Sequence, residues 1–151
     1  GGGLMTALNC DFRLAGTDAT FGIPAAKLGI SYGFDGLSRL VQVAGPARTR
    51  YLLYTGDRVD AQTALTWGLV EQVHDTGVLW DEAMTLARRI AGNAPLSIRA
   101  TKETVAQITR DPADRDMQAI VDLSTLCQQS SDFREGRDAF REKRSPVFTG
   151  Q

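Results

Sequence analysis

A change of periodicity near residue 80 narrows the fold more than any other feature of the sequence. Before it, apolar residues come in runs long enough only for brief strands and short helices; after it, helical spacing continues almost to the end. Asp11-Phe12-Arg13-Leu14-Ala15 alternates apolar with polar and predicts a short half-buried strand, with a turn at Gly16-Thr17-Asp18. Thr20-Phe21-Gly22-Ile23-Pro24 predicts a second, which Pro24 ends or confines to a sheet edge. Leu69-Val70-Glu71-Gln72-Val73 is the clearest strand pattern in the chain. Residues 25–32, small and apolar with only Lys27 charged, read as a segment lining a pocket.

The helices carry their own punctuation. Leu37, Leu40 and Val41 lie at helical spacing between Gly36 and Gly45, and Pro46 opens the next helix at a first-turn position. Asp60 is suited to cap a helix over 61–67, and Gly68 to close it. Further on, Asp111-Pro112 predicts another helix start, and Asp132 with Glu135 three residues later predicts a capping box for the last helix. Composition adds exclusions. With 17 basic and 18 acidic residues in 151, a net charge of -1 gives no reason to expect nucleic acid or an anionic membrane as partner. No apolar run approaches the roughly 20 residues a bilayer span needs. Cys10 and Cys127 lie far apart without metal-ligand spacing, so buried free thiols and a cytoplasmic setting are expected, with no metal site.

The place where backbone is suited to chemistry is Gly1-Gly2-Gly3, which runs directly into the apolar, helix-compatible Leu4-Met5-Thr6-Ala7-Leu8. Free N–H groups at a helix start favour negative charge, and glycines let a ligand approach the backbone closely. An oxygen gaining charge in a transition state suits such a junction, though a glycine triplet also suits a flexible chain end. The chain begins on that junction without Met or lead-in, which points to the second part of something longer.

Four blocks in register resemble the enoyl-CoA hydratase/isomerase (crotonase) superfamily. They are the triplet followed by Cys10-Asp11-Phe12-Arg13-Leu14-Ala15 and Ala19-Thr20-Phe21-Gly22; Lys27-Leu28-Gly29 with Gly36-Leu37-Ser38-Arg39-Leu40; Thr55-Gly56-Asp57-Arg58-Val59-Asp60-Ala61 with Gly68-Leu69-Val70; and Asp132-Phe133-Arg134-Glu135-Gly136 through Pro146-Val147-Phe148. The resemblance implies an α/β chain: the second half of a β-β-α superhelical fold over 1–78, with its upstream half absent, then a C-terminal helical trimerisation region over 79–151. It implies acyl-CoA substrates, no cofactor beyond the coenzyme A of the substrate, and homotrimers or hexamers, and it leaves room for a separately encoded upstream half as partner. The family's oxyanion donor from the triplet falls on the Gly2 N–H, and the other donor on the segment upstream. Phe140 and Lys143 hold positions that in some members reach a neighbouring subunit's CoA, and equally suit a core aromatic and a solvated cation.

The resemblance also exposes departures. The two glutamates that position water in a hydratase of this family fall on Met5 and Ala25, neither of which transfers a proton. Hydration by the usual route is therefore not expected. Tyr32 lies where relatives that decarboxylate malonyl-type thioesters can carry a tyrosine, and Asp35 lies in the segment lining the acyl pocket. The plainer readings are a half-buried aromatic and a helix-start residue. Three functions stay open: acyl-CoA binding or transformation through an oxyanion hole, decarboxylation or isomerisation completed by the upstream half, and a non-catalytic oligomerisation or binding module.

Overall fold

The computed structural model describes all residues, Gly1–Gln151, in two compact units, Gly1–Met84 and Thr85–Gln151. The first holds four three-residue strands in two pairs. β1 (Leu14–Gly16) runs parallel to β4 (Gln72–His74), and β2 (Thr20–Gly22) antiparallel to β3 (Arg58–Asp60). Around them lie α1 (Gly2–Ala7), α2 (Ala25–Leu28), α3 (Phe34–Thr55) and α4 (Ala61–Trp67). Ile23, Leu40, Leu52, Ala64, Leu69 and Val70 are at most 2% exposed and centre the core. Each of the larger ones contributes about 1.5–3 kcal/mol on burial.

Local signals explain the helices of this unit. Asp60 caps α4 as expected, its carboxylate accepting the Thr63 N–H at 2.7 Å, and Gly68 closes it in the left-handed region. Within α3, Gly45 has φ 79° and ψ 163°, which separates two helical halves and lets Pro46 open the second. β2 stands where the sequence predicts it, but β1 and β4 sit later than the alternation predicts. Leu69 and Val70 are wholly buried before β4 begins, because the turn closing α4 drives them into the core (Leu69 N–H to the Ala64 carbonyl, 2.9 Å). Arg13 precedes β1 for a related reason: its guanidinium holds the Leu69 and Cys10 carbonyls at 2.8 and 2.7 Å, and pairs with Glu71.

α5 (Leu79–Ala91) begins where the second region was expected, although the first compact unit extends to Met84. The second unit carries α6 (Pro95–Ile108), α7 (Met117–Gln129) and α8 (Ser131–Glu142). Asp111 does not start α7. Its carboxylate caps a 3-10 turn over Pro112–Asp114, and Asp116 caps α7 through the Ala119 N–H. Buried Gln107 joins the ends of that connection, donating to Glu103 and accepting the Asp116 N–H at 2.8 Å.

The expected capping box at Asp132 and Glu135 is also corrected. Ser130 caps α8 through the Phe133 N–H at 3.0 Å. Asp132, 3% exposed, instead accepts the Thr149 and Gly150 N–H groups at 2.7 and 2.9 Å. Glu135 takes Arg144 at both oxygens, at 2.6 and 2.8 Å, and accepts the Val147 N–H. Both acids therefore bind the chain that follows α8 rather than the helix start.

The Arg144 hydrogen bonds, helped by the Val147 N–H, lower the Glu135 carboxyl from an ordinary 4.5 to about 2. A depressed carboxyl contributes stability that is fully present above its unfolded value and lost as pH falls through the folded one. Carboxyl-carbon NMR titration is expected to place Glu135 well below the ordinary glutamate range, with Arg144→Gln returning it toward 4.5. A Glu135 midpoint near 4.5 in the unsubstituted protein contradicts the clamp.

Candidate functional site

α1 has only six residues and no side-chain cap, so propensity does not hold it. Leu4 and Leu8, four residues apart, are 7% and 3% exposed and anchor one side of the segment in the core. The first-turn N–H groups of Gly2, Gly3 and Leu4 have no acceptor within the helix, because ladder bonds begin with Met5 donating to the Gly1 carbonyl at 3.2 Å. Gly2 and Gly3 are exposed, and a Cβ placed at either meets nothing within 4 Å. Nothing in this chain requires glycine at those two positions. The start of the triplet is moored by the Gly1 nitrogen, which donates to the Gly22 carbonyl of β2.

One turn along α1, Met5, Thr6 and Asn9 face Asp35, Gly36 and Arg39 of α3 across a cavity of about 320 Å³. Gly36 sets the spacing there: a Cβ at that position lies 3.2 Å from the Met5 methyl carbon and 3.8 Å from Cδ1 of Tyr32. Ala25, 5% exposed, opens α2 in the apolar cluster against which Met5 and Tyr32 pack. The structure thus brings Met5, Tyr32 and Asp35 around Gly36, with Ala25 in the packing beneath. Asp35 is the only carboxylate lining this cavity.

Gly2 does not line the cavity. Its neighbours Gly1 and Gly3 line a separate one of about 590 Å³ with Leu4, Phe21, Pro24 and Arg58. Phe140 and Lys143 belong to the second unit. Phe140 is 88% exposed at the edge of a groove it shares with Phe133, Phe148, Leu96 and Cys127. It is not a core residue of its unit. Lys143 ends α8 with φ 55°, the one non-glycine residue at positive φ. His74 sits half-buried on β4 with Nε2 2.9 Å from the Gln72 side-chain oxygen, and no group of three or more His, Cys, Asp or Glu converges to hold a metal.

Sequence reasoning passed over Arg39, Thr6 and Asn9 as site residues. A signal was present in the spacing on α3, since Arg39 follows Asp35 by four on one helix, whereas Asn9 lies in the turn after α1. Which faces meet became visible only once α1 and α3 were placed side by side.

Short strand pairs against helices, with a polar-walled cavity beside a glycine-opened helix, define an α/β domain built around that helix. The chain belongs to the enoyl-CoA hydratase/isomerase family, whose model matches residues 1–151. It is 38% identical over 148 residues to a crotonyl-CoA hydratase of Syntrophomonas wolfei, covering 98% of this chain and 57% of that protein. To a carnitinyl-CoA dehydratase of Citrobacter koseri it is 37% identical over 155 aligned positions, covering 100% of this chain and 59% of the relative. A crystal structure of an enoyl-CoA hydratase/carnithine racemase from Magnetospirillum magneticum superposes with a TM-score of 0.91 at 36% identity, over 100% of this chain and 56% of that one. The chain therefore spans a little over half the length of the relatives it matches. These matches establish the crotonase fold and the family. No helix is long and apolar enough to cross a membrane.

Proposed function

We propose that the protein binds an acyl-CoA thioester whose oxygen is held by the Gly2 N–H, and that it acts through the thioester enolate rather than by standard hydration. The carrying observation is the opening of α1: unpaired N–H groups at exposed glycines where a side chain would meet nothing of this chain. The second oxyanion donor comes from protein outside these 151 residues. A CoA thioester as ligand class is supported by relatives named as a crotonyl-CoA hydratase and a carnitinyl-CoA dehydratase.

The reaction follows from what lines the pocket. Met5 and Ala25 carry no ionisable proton, so the acid–base pair worth roughly 10²–10⁴-fold per group in hydration is missing from those positions. An oxyanion hole still stabilises an enolate, whether it forms by loss of a carboxyl group or by movement of a proton to shift a double bond. Tyr32, packed like Met5 against the buried cluster, has a phenol that can protonate such an enolate; Asp35 is the carboxylate available for a proton shift. In the full-length protein, crotonyl-CoA hydration is expected to be weak. Decarboxylation of a malonyl-type thioester or isomerisation of an enoyl thioester is expected to exceed it, with Tyr32→Phe slowing the favoured reaction about tenfold or more. Rapid hydration, or turnover untouched by Tyr32→Phe, contradicts the corresponding part.

A second reading rests on a different observation. Val105 and Ile108 of α6 and Met117 and Val121 of α7 are 55–63% exposed, an apolar expanse of the kind that assembly covers. On that reading the helices of the second unit join a homotrimer or hexamer in the cytoplasm, where Phe140 and Lys143 meet a neighbour's CoA. Sedimentation equilibrium is expected to give a trimer or its multiple. A monomer at micromolar concentration sinks the assembly.

A further inference from the structure

Leu4 and Leu8 hold α1 against the core, yet apolar contact is non-directional and leaves a short helix free to slide along its own axis. Hydrogen bonds fix that coordinate. At the front of the segment the Gly1 nitrogen donates to the Gly22 carbonyl, and at the rear a network gathers around Arg13. Leu8, Asn9 and Cys10 carry the hydrogen bonding of α1 onward, donating to the Leu4, Thr6 and Ala7 carbonyls at 3.0, 3.1 and 3.0 Å. The Cys10 carbonyl then accepts from Arg13 Nη1 at 2.7 Å. The same guanidinium donates through Nε to the Leu69 carbonyl at 2.8 Å, and through Nη2 to the Glu71 carboxylate.

The far side of this clamp is itself fixed. Leu69 is fully buried, with its N–H on the Ala64 carbonyl at 2.9 Å. Glu71 holds the Arg13 backbone twice: its N–H donates to the Arg13 carbonyl at 2.9 Å, and its carboxylate accepts the Arg13 N–H. The Arg13 side chain is 10% exposed, so acceptors of the fold, rather than water, compensate its charge. A rigid planar fork spans acceptors that a compact ammonium does not hold together. Arg13 lines neither cavity beside α1 and therefore acts through the helix. Resting on the reading of the Gly2 N–H as an oxyanion donor, we infer that Arg13 is a positioning residue for that donor. By tying the turn after α1 to the Leu69–Glu71 segment, it sets how far the first turn reaches toward the thioester oxygen. A hydrogen-bonded segment passes a shift at Cys10 on to Gly2, and a donor displaced by about 1 Å loses much of its effect on a developing oxyanion.

Infrared difference spectra of the full-length protein saturated with butyryl-CoA read the donor through the thioester carbonyl stretch, which a hydrogen bond lowers. The bound stretch is expected to lie below that of free butyryl-CoA, and Arg13→Met to abolish most of the lowering. Arg13→Lys, which keeps the charge but not the fork, is expected to behave like Arg13→Met. Glu71→Ala, at the more exposed end of the clamp, is expected to give a smaller loss in the same direction, and it decides the matter if Arg13→Met does not fold. Only folded, ligand-bound protein contributes to the bound signal, so a general loss of stability does not imitate these shifts. A full lowering in the deciding variant or in Arg13→Lys, or failure of both Arg13→Met and Glu71→Ala to fold, overturns the positioning role and leaves the oxyanion reading standing. A stretch unshifted in the unsubstituted protein overturns that reading, and the inference with it.

Discussion

The anchoring of α1 by Leu4 and Leu8 governs everything that follows at the site. Six residues beginning with two glycines do not form a helix unaided, because nucleation fixes several residues for one hydrogen bond. Burial of the two leucines at 7% and 3% exposure supplies the missing free energy and orients the helix axis. Once the axis is fixed, so are the outward N–H groups of its first turn and the position of Met5 toward α3. The glycines can then be exposed and unstrained, and the helix still keeps one direction.

The same helix separates two tasks. Its N-terminus presents backbone, which is insensitive to side-chain replacement, whereas Met5 and Thr6 further along it, with Asn9 in the turn that follows, line the cavity on α3. Fold and family can therefore persist while the chemistry changes, since the side chains at positions 5 and 25 can vary without moving the backbone of the first turn. Gly36 shows the limit on such change: a Cβ there would lie 3.2 Å from the Met5 methyl carbon and 3.8 Å from Tyr32, so a larger side chain at that position of α3 would crowd the cavity.

Local chemistry was the legible part of the sequence. The Asp60 cap, the Gly68 stop and the division of α3 at Gly45 and Pro46 each depend on residues within a few positions, and each stands where the sequence put it. The family was legible for a different reason, in the order and register of four blocks. What failed was long-range. Asp132 and Glu135 have a capping-box spacing, but Thr149, Gly150 and Arg144 take them, and only folding brings those groups near. β4 slid toward His74 because the turn closing α4 buries Leu69 and Val70 first. At the site, Met5, Ala25, Tyr32 and Asp35 were read from the resemblance, whereas Arg39 emerged only from the juxtaposition of α1 and α3.

The central claim is that the Gly2 N–H polarises a thioester oxygen. It is tested most directly by the carbonyl signal of an unreactive CoA thioester, ¹³C-labelled at that carbon and bound to the full-length protein. Proline is tolerated at the first helical position while deleting the N–H, so Gly2→Pro removes the donor and spares the helix. The account requires a downfield shift of the bound carbonyl that largely disappears in Gly2→Pro. A bound carbonyl with the same shift in both proteins contradicts it.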